Sequence, residues 1–497
     1  MSPPSNGLLD GNATPAGKDY DCENTTKPRS SGKSAWLGEG KLPEAVDDGD
    51  QQIIEAGEAK YHRLGWKGLT IMLIVEAIGL GSLSIPSAFA TLGMVAGVIC
   101  CVGIGLIAIY TSYVIGQVKL AYPAVRHYGD AGALLMGPWG NELFTFMLIL
   151  QLIFLTGSNC LTGTIALQHI TGSGICSVIF SVVSAIILLL LSIPSSFADM
   201  AWLGYLDFVS IVAAIGITII ATGVRGTNSA GGLGAVSWSA WPQGDPSFSD
   251  GFIAISNIVF AYTFASCLFS FMDEMHTPRD FTKSIWSLGI LQIVIYTVTG
   301  ATIYAFVGLD VQSPALLSAG ALVSKVAFGI ALPVIFISGA ICTIVAGRLI
   351  HGRIYANSVT RYINTPKGWI TWLILITVLT ILSWVIAEAI PFFDDLLSIA
   401  SALFTSGFSF YLPPIMWYVL IREGPWYSRE NLVTSIVNFL VFIFGLIVLV
   451  GGIPSVLSLL SCCGLYIRAR GTRKPQNQAR GAIHLPAKSW FWPEIAG

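Results

Sequence analysis

The sequence predicts an all-α protein that crosses a membrane many times, and two observations predict it. Of the 497 residues, 54% are hydrophobic and only 11% charged, with a mean hydropathy of +0.71; soluble domains carry about 25% charged residues. Apolar runs of the roughly 20 residues needed to cross the hydrocarbon core as a helix recur from about residue 66 almost to residue 465. The formal net charge of −2 says nothing about partners beyond lipid, because the charges sit in loops and tails. Nothing in it points to nucleic acid.

Residues 1–60 are rich in Ser, Pro, Gly, Asp, Lys and Thr, with little apolar periodicity, and read as a disordered cytosolic tail. No charged-then-apolar leader with a cleavage site precedes the first span, so the tail is expected to stay untranslocated. The patterns Asn12-Ala-Thr14 and Asn24-Thr-Thr26 match a glycosylation acceptor but would stay unmodified there.

The membrane domain is expected over 61–465, with a C-terminal tail at 466–497. Eleven spans are predicted at about 67–90, 92–118, 142–167, 175–194, 202–223, 252–273, 284–308, 322–346, 369–390, 394–420 and 432–460. The segment Tyr128 to Met136 reads as a short helix along the membrane, and Trp238 and Trp241, in the longest loop, suit an interface. Lys and Arg fall in alternate loops: Lys119, Arg126, Arg279, Lys283, Arg348, Arg353 and Arg361 lie on the side of the N-terminal tail, against Arg225 and Lys325 on the other. That bias places the N-terminus in the cytosol. The basic C-terminal tail conflicts with an odd number of spans, unless the last span bends at Gly451-Gly452-Ile-Pro454 or the earlier loops fix the orientation.

The nine cysteines show no CxxC pairing. They read as small apolar helix residues, with one disulfide on the outer face left open. No Ser–His–Asp set, phosphate loop or metal-ligand cluster appears, so neither an enzyme nor a cofactor nor a metal is expected.

The first span does not read as an anchor. Glu76-Ala-Ile-Gly79-Leu-Gly81-Ser82-Leu-Ser84-Ile-Pro86 puts a carboxylate, two glycines, two serines and a proline inside one apolar run. A mid-helix glycine costs about 1 kcal/mol relative to alanine, and Pro86 fits the first turn of a new helix. The stretch predicts one half-helix ending near Ala77 and another starting near Ser82, capped by Ser82 or Ser84. Such a break offers N–H groups to an anion and carbonyls to a cation, which suits a zwitterion at a transport site. The alternative is that the glycines only allow close helix packing. Glu76 is read either as a group that binds and releases a proton or as a structural carboxyl.

The sixth span, Phe260-Ala-Tyr262-Thr-Phe264-Ala-Ser266 on to Asp273-Glu274 and Pro278, mixes small, polar and aromatic residues but has no central glycine. Inverted repeats of five spans, about 66–223 and 252–420 with 432–460 added, would make spans one and six the corresponding broken helices. Gln151, Thr156, Ser158, Asn159 and Thr162 in span three, and Ser338 and Thr343 in span eight, could face a cavity or bond their own helices. Asp273, Glu274, Arg279 and Asp280 read as a gate or as solvated ion pairs. His351 reads as a solvated interface residue. Glu76 stands as the one clear intramembrane carboxylate; with no basic partner beside it, uncharged substrates are favoured.

Glu76 to Phe89 strongly resembles the first span of the amino acid/auxin permease family. Tyr128-Gly-Asp-Ala-Gly is similar to that family's motif before the third span. Phe269-Ser-Phe-Met-Asp-Glu-Met-His-Thr-Pro-Arg-Asp-Phe281 looks like its sixth span in fungal neutral amino acid permeases. The resemblance covers about 60–465. It implies a five-plus-five inverted-repeat fold of eleven spans and proton-driven symport of neutral aliphatic and aromatic amino acids, at the plasma membrane or, as in some members, the vacuole. It implies that Ile78, Gly79, Leu80, Gly81 and Ser82 meet the substrate carboxylate, with Ala77 beside them in the substrate site. Tyr262, Thr263, Phe264, Ala265 and Ser266 would meet its amine and side chain, with Asn159 completing the pocket. Glu76, Ser338 and Thr343 would serve the coupling ion. The reading from another class is an amino-acid sensor that binds but barely transports.

Overall fold

The computed structural model describes residues 64–471 except 173, 229–231, 244–245, 356–357, 359, 361–362, 364 and 391. The N-terminal tail, both glycosylation patterns and most of the C-terminal tail lie outside the described residues. The chain runs through α1 (Trp66–Leu92), α2 (Met94–Ala121), α3 (Tyr128–Met136), α4 (Pro138–Thr171), α5 (Ser177–Leu191), α6 (Phe197–Asn228), α7 (Phe248–Ala261), α8 (Leu268–Asp273), α9 (Phe281–Val307), α10 (Ala321–Ile354), α11 (Pro366–Ala389), α12 (Phe393–Ile421) and α13 (Leu432–Gly471).

Every predicted span has a helix at its place. Among the described residues, eight helices are long and apolar enough to cross a membrane, and α1, bent by 44°, makes nine; α5 and α7 are shorter apolar helices. Their order inside the bundle follows from burial. In α10 78% of the apolar stretch is buried and in α12 89%, against 28% in α13. The first two therefore form the centre and α13 keeps its Leu, Ile and Val side chains for lipid. α10 packs against α4, α6 and α1, and α1 also against α7 and α9.

Backbone chemistry sets the helix ends. Gly93 separates α1 from α2 at φ 83, and a Cβ there would lie 2.6 Å from the Trp241 carbonyl carbon. The loop after α6 uses that space to cap α2: Met94 N–H donates to Ser239 O and Val95 N–H to Ala240 O, both at 3.0 Å. Trp238 and Trp241 remain exposed.

α3 forms where predicted and packs against α4, because Gly132 and Gly140 let the two backbones touch. α13 is helical through Gly451 to Pro454. One expectation changes. His351 is 1% exposed, packed between the rings of Tyr355 and Trp372 rather than solvated. Cys100, Cys101, Cys160, Cys176, Cys267 and Cys342 are all free thiols.

Candidate functional site

The expected unwinding of the first span is replaced by a bend. α1 stays helical from Trp66 to Leu92 and turns by 44° between Gly79 and Gly81. The serines explain why. Ser82 Oγ donates to Gly79 O and Ser84 Oγ to Gly81 O, each at 3.1 Å, and Ser87 Oγ to Ser84 O at 2.7 Å. They bond backwards to their own helix, a habit that bends helices, and do not cap a new one. Pro86 removes one further N–H from the ladder.

The two glycines differ in purpose. A Cβ on Gly81 would sit 2.8 Å from both Cα and Cβ of Ala261 and 3.0 Å from the Tyr296 hydroxyl. On Gly79 it would meet nothing nearer than Val334 Cγ2 at 3.5 Å. Gly81 is therefore the contact point between α1 and the end of α7.

That end is where the sixth span breaks. α7 stops at Ala261; Thr263–Ser266 form one tight 3-10 turn, and α8 begins at Leu268. No glycine makes this break; hydroxyls hold it. Thr263 Oγ1 bonds Phe260 O, and Ser266 Oγ donates to Thr263 O at 3.0 Å. The Tyr296 hydroxyl of α9 lies 2.7 Å from Ala77 O and 3.0 Å from Ala261 O, so one donor serves both interruptions. The bend and the break thus face each other at one buried point.

Around it, Thr263 Oγ1 is 3.2 Å from Thr405 Oγ1 of α12, whose stretch Ser401–Tyr411 is π-helical. Wide helical turns of this kind often mark functional positions. Gln151, Asn257, Ser401 and Ser409 each keep a buried side-chain polar atom unpaired among the described residues. Phe264 and Ala265 are fully buried, and Tyr262 donates to Cys101 O at 2.9 Å on α2. Ala77 and Ile78 are buried as well. Asn159 Nδ2 donates to Leu155 O at 3.0 Å while its Oδ1 is unpaired. Ser158 and Thr162 bond their own helix, and Thr156 meets Thr343 at 3.2 Å across the α4–α10 seam. Ser338 lies beside Gly79.

Glu76 is 5% exposed, and its oxygens meet no nitrogen or oxygen partner among the described residues. Its titratable neighbours are the thiols of Cys267, at the break, and Cys342 of α10. Ser338 and Thr343 form no described bond with it. Glu76 is also not the one intramembrane carboxylate: Asp207 of α6 is fully buried with both oxygens unpaired. A lone carboxylate in an apolar run was there to read in the sequence.

Contacts close both ends of the bundle around this point. At the basic end, Lys119 of α2 pairs with Asp273 at 2.8 Å and Arg348 of α10 pairs with Glu274. Leu64 N–H donates to Glu274 O and His276 N–H to Leu64 O, each at 3.0 Å, which ties the entry to α1 onto the exit from α8. His127 Nδ1 lies 2.8 Å from Ser270 Oγ, and burial pushes its imidazole down to about 4 despite the nearby Asp130 and Asp273 carboxylates. Asp280 instead pairs with exposed Lys283 at 2.7 Å, so the acidic cluster divides into a buried seal and a solvated pair. At the opposite end Asp394 accepts from Ser313 at 2.7 Å and from Ser87 of α1 at 3.3 Å. Among the described residues no group of three or more His, Cys, Asp or Glu is placed to hold a metal ion.

Residues 62–458 match the family described as transmembrane amino acid transporter protein. The chain belongs to that family. It is therefore a membrane-embedded amino acid transporter rather than an enzyme. The N amino acid transport system protein of Neurospora crassa is 60% identical over 394 residues, 79% of this chain and 84% of that protein. A transmembrane transporter of Gibberella moniliformis is 29% identical over 81% of this chain and 85% of its own length. The vacuolar amino acid transporter 4 of Saccharomyces cerevisiae is 26% identical over 51% of this chain and 35% of that protein.

Proposed function

We propose that this transporter is a proton-driven symporter that imports neutral aliphatic and aromatic amino acids by alternating access. The observation that carries the reading is the buried meeting of the α1 bend with the α7–α8 break, linked by Tyr296. Where α7 stops, its carbonyls suit an ammonium, and the substrate's amine and side chain are assigned to Tyr262–Ser266. The substrate carboxylate is assigned, on the family resemblance, to Ile78–Ser82, which requires α1 to open at its bend when the substrate binds. Thr405 is added because its hydroxyl meets Thr263 at the break, and Ser401 and Asn257 because they lie one turn from Thr405 and from the end of α7 with a buried polar atom unpaired among the described residues. These are all uncharged, which suits a substrate with an uncharged side chain.

Glu76 is assigned to proton coupling, since its carboxyl lacks a basic partner and touches the break through Cys267. The basic end is assigned to the cytosol, with the N-terminus there, and the membrane to the plasma membrane. The two sets of end contacts act as inner and outer gates, opened in turn by movement between two five-helix repeats. The relative of Neurospora crassa, an N amino acid transport system protein, supports an amino acid cargo.

Uptake of labelled leucine or phenylalanine into proteoliposomes, with and without an inward pH gradient, tests this. Accumulation that grows with the gradient is expected. Binding without accumulation would replace the reading with that of a sensor, and a Glu76→Gln variant that still responds fully to the gradient would remove Glu76 from the coupling role.

A further inference from the structure

Asp207 has no part in the site just described, yet its placement is specific. Gly204, Asp207 and Ser210 recur every three residues and share one face of α6. At one end of that face, a Cβ on Gly204 would lie 2.6 Å from Ile71 Cγ2 and 3.2 Å from Val75 Cγ2, so α6 touches α1 there. At the other end Ser210 Oγ bonds Ile330 O of α10. Asp207 falls between, about 4.5 Å along the helix axis from each, in the seam of α1, α6 and α10. Gly79, at the α1 bend, faces Val334 and Ser338 of α10 in the same α1–α10 contact.

In that seam Asp207 is 0% exposed and neither Oδ1 nor Oδ2 has a hydrogen-bond partner among the described residues. The packed elements carry the titratable groups Glu76 on α1, Tyr296 and Tyr304 on α9, Lys325 and Cys342 on α10, and Arg225 on its own helix, and none of them is hydrogen-bonded to Asp207. A carboxylate so placed has no stable charged form without a cation of its own. A bare metal cation takes several oxygen ligands, whereas the oxygens shown at this point among the described residues are the two of Asp207 and the Ser210 hydroxyl, which is already committed to Ile330 O. A proton needs one.

We propose that Asp207 is a second proton-binding site, separate from Glu76, and that it binds and releases its proton as the α1–α6–α10 seam opens. The proposal rests on the symport reading above and deepens it. The step is a simple transfer: a proton from water on the loading side joins one Oδ of the Asp207 carboxylate, the neutral acid stays sealed in the closed seam, and the proton leaves to water on the other side. Movement of α1 at its bend would expose the seam, which couples the loading of Asp207 to the site between α1 and the break.

Two measurements on the full chain in liposomes test it. Dicyclohexylcarbodiimide reacts with protonated carboxyls in apolar surroundings, and mass spectrometry locates the adduct. An adduct at Asp207 in the unaltered protein at pH 6, falling severalfold at pH 9, is expected; no adduct at Asp207 while Glu76 reacts would overturn the proposal. In Asp207→Asn the ratio of leucine uptake with and without the pH gradient should fall toward one. An undiminished ratio, or uptake driven by a sodium gradient alone, would overturn it. Counterflow of labelled leucine by the unaltered protein needs no gradient and reports separately on the transport reading, while the adduct reports on Asp207 even if leucine is not carried.

Discussion

The first and sixth spans are interrupted at the same buried point by opposite means. α1 has the conspicuous sequence, two glycines and a proline within eight residues, and yet it stays helical and only bends. The sixth span has no glycine at its centre and comes apart into α7, a 3-10 turn and α8. Glycine and proline weaken a helix, but at membrane depth the backbone unwinds only where its freed groups find partners. Thr263, Ser266 and Tyr296 supply those partners at the break. In α1 the serines spend their hydroxyls on the existing helix, and Gly81 serves close approach.

The sharpest way to break this contrast is to add one methyl group to each glycine. Gly81→Ala would drive a Cβ to 2.8 Å from the Ala261 backbone, which cannot yield cheaply; overpacking costs about 1–3 kcal/mol or more. Leucine uptake should fall more than tenfold and the thermal midpoint should drop. Gly79→Ala has 3.5 Å of room and should leave uptake within about twofold, with a stability gain of up to about 1 kcal/mol. Equal losses at both positions would mean that both glycines are there to unwind the helix.

Tyr296→Phe comes next. It removes the donor shared by Ala77 O and Ala261 O, and an unsatisfied buried group costs about 1–3 kcal/mol. A lower thermal midpoint and a severalfold loss of uptake are expected, with Tyr296→Trp failing to rescue. A smaller effect separates the two sets of hydroxyls. Thr263→Val should cost about 1 kcal/mol and be restored by Thr263→Ser, whereas Ser82→Ala in the continuous α1 should be nearly silent in a thermal shift measurement.

The smallest effect belongs to the basic end, away from both breaks. In the folded protein His127 stays neutral down to about 4, against an ordinary value of 6.5. The unfolded chain therefore takes up the proton first. Stability present above pH 6.5 should be lost as the pH falls toward about 4 and change little below that from this residue. Thermal midpoints across that window should show the slope, and His127→Asn, which can still reach Ser270, should flatten it.

Much of this was legible in the residues. Apolar runs located the long helices, and the family motif at Glu76 to Phe89 pointed to α1. Other features were not, because they arise from tertiary contacts that leave no periodicity. Tyr296 looks like an ordinary aromatic in a lipid-facing span until its hydroxyl is seen between two carbonyls. Thr405 gains meaning only from the π-helical stretch that turns it toward Thr263. Asp273 and Asp280 are alike in sequence and both half-buried, and only the structure shows that one pairs with buried Lys119 and the other with exposed Lys283. Asp207 and Asp394 differ from these: both stand in the sequence as carboxylates in apolar surroundings.

The central claim is that the α1 bend and the α7–α8 break together hold the amino acid. Hydrogen exchange of the full chain in nanodiscs, with and without leucine, tests it most directly. Leucine should slow exchange chiefly in peptides covering 76–86 and 260–268, with a weaker effect over 401–411. Protection elsewhere, or in one of the two leading peptides without the other, would contradict it.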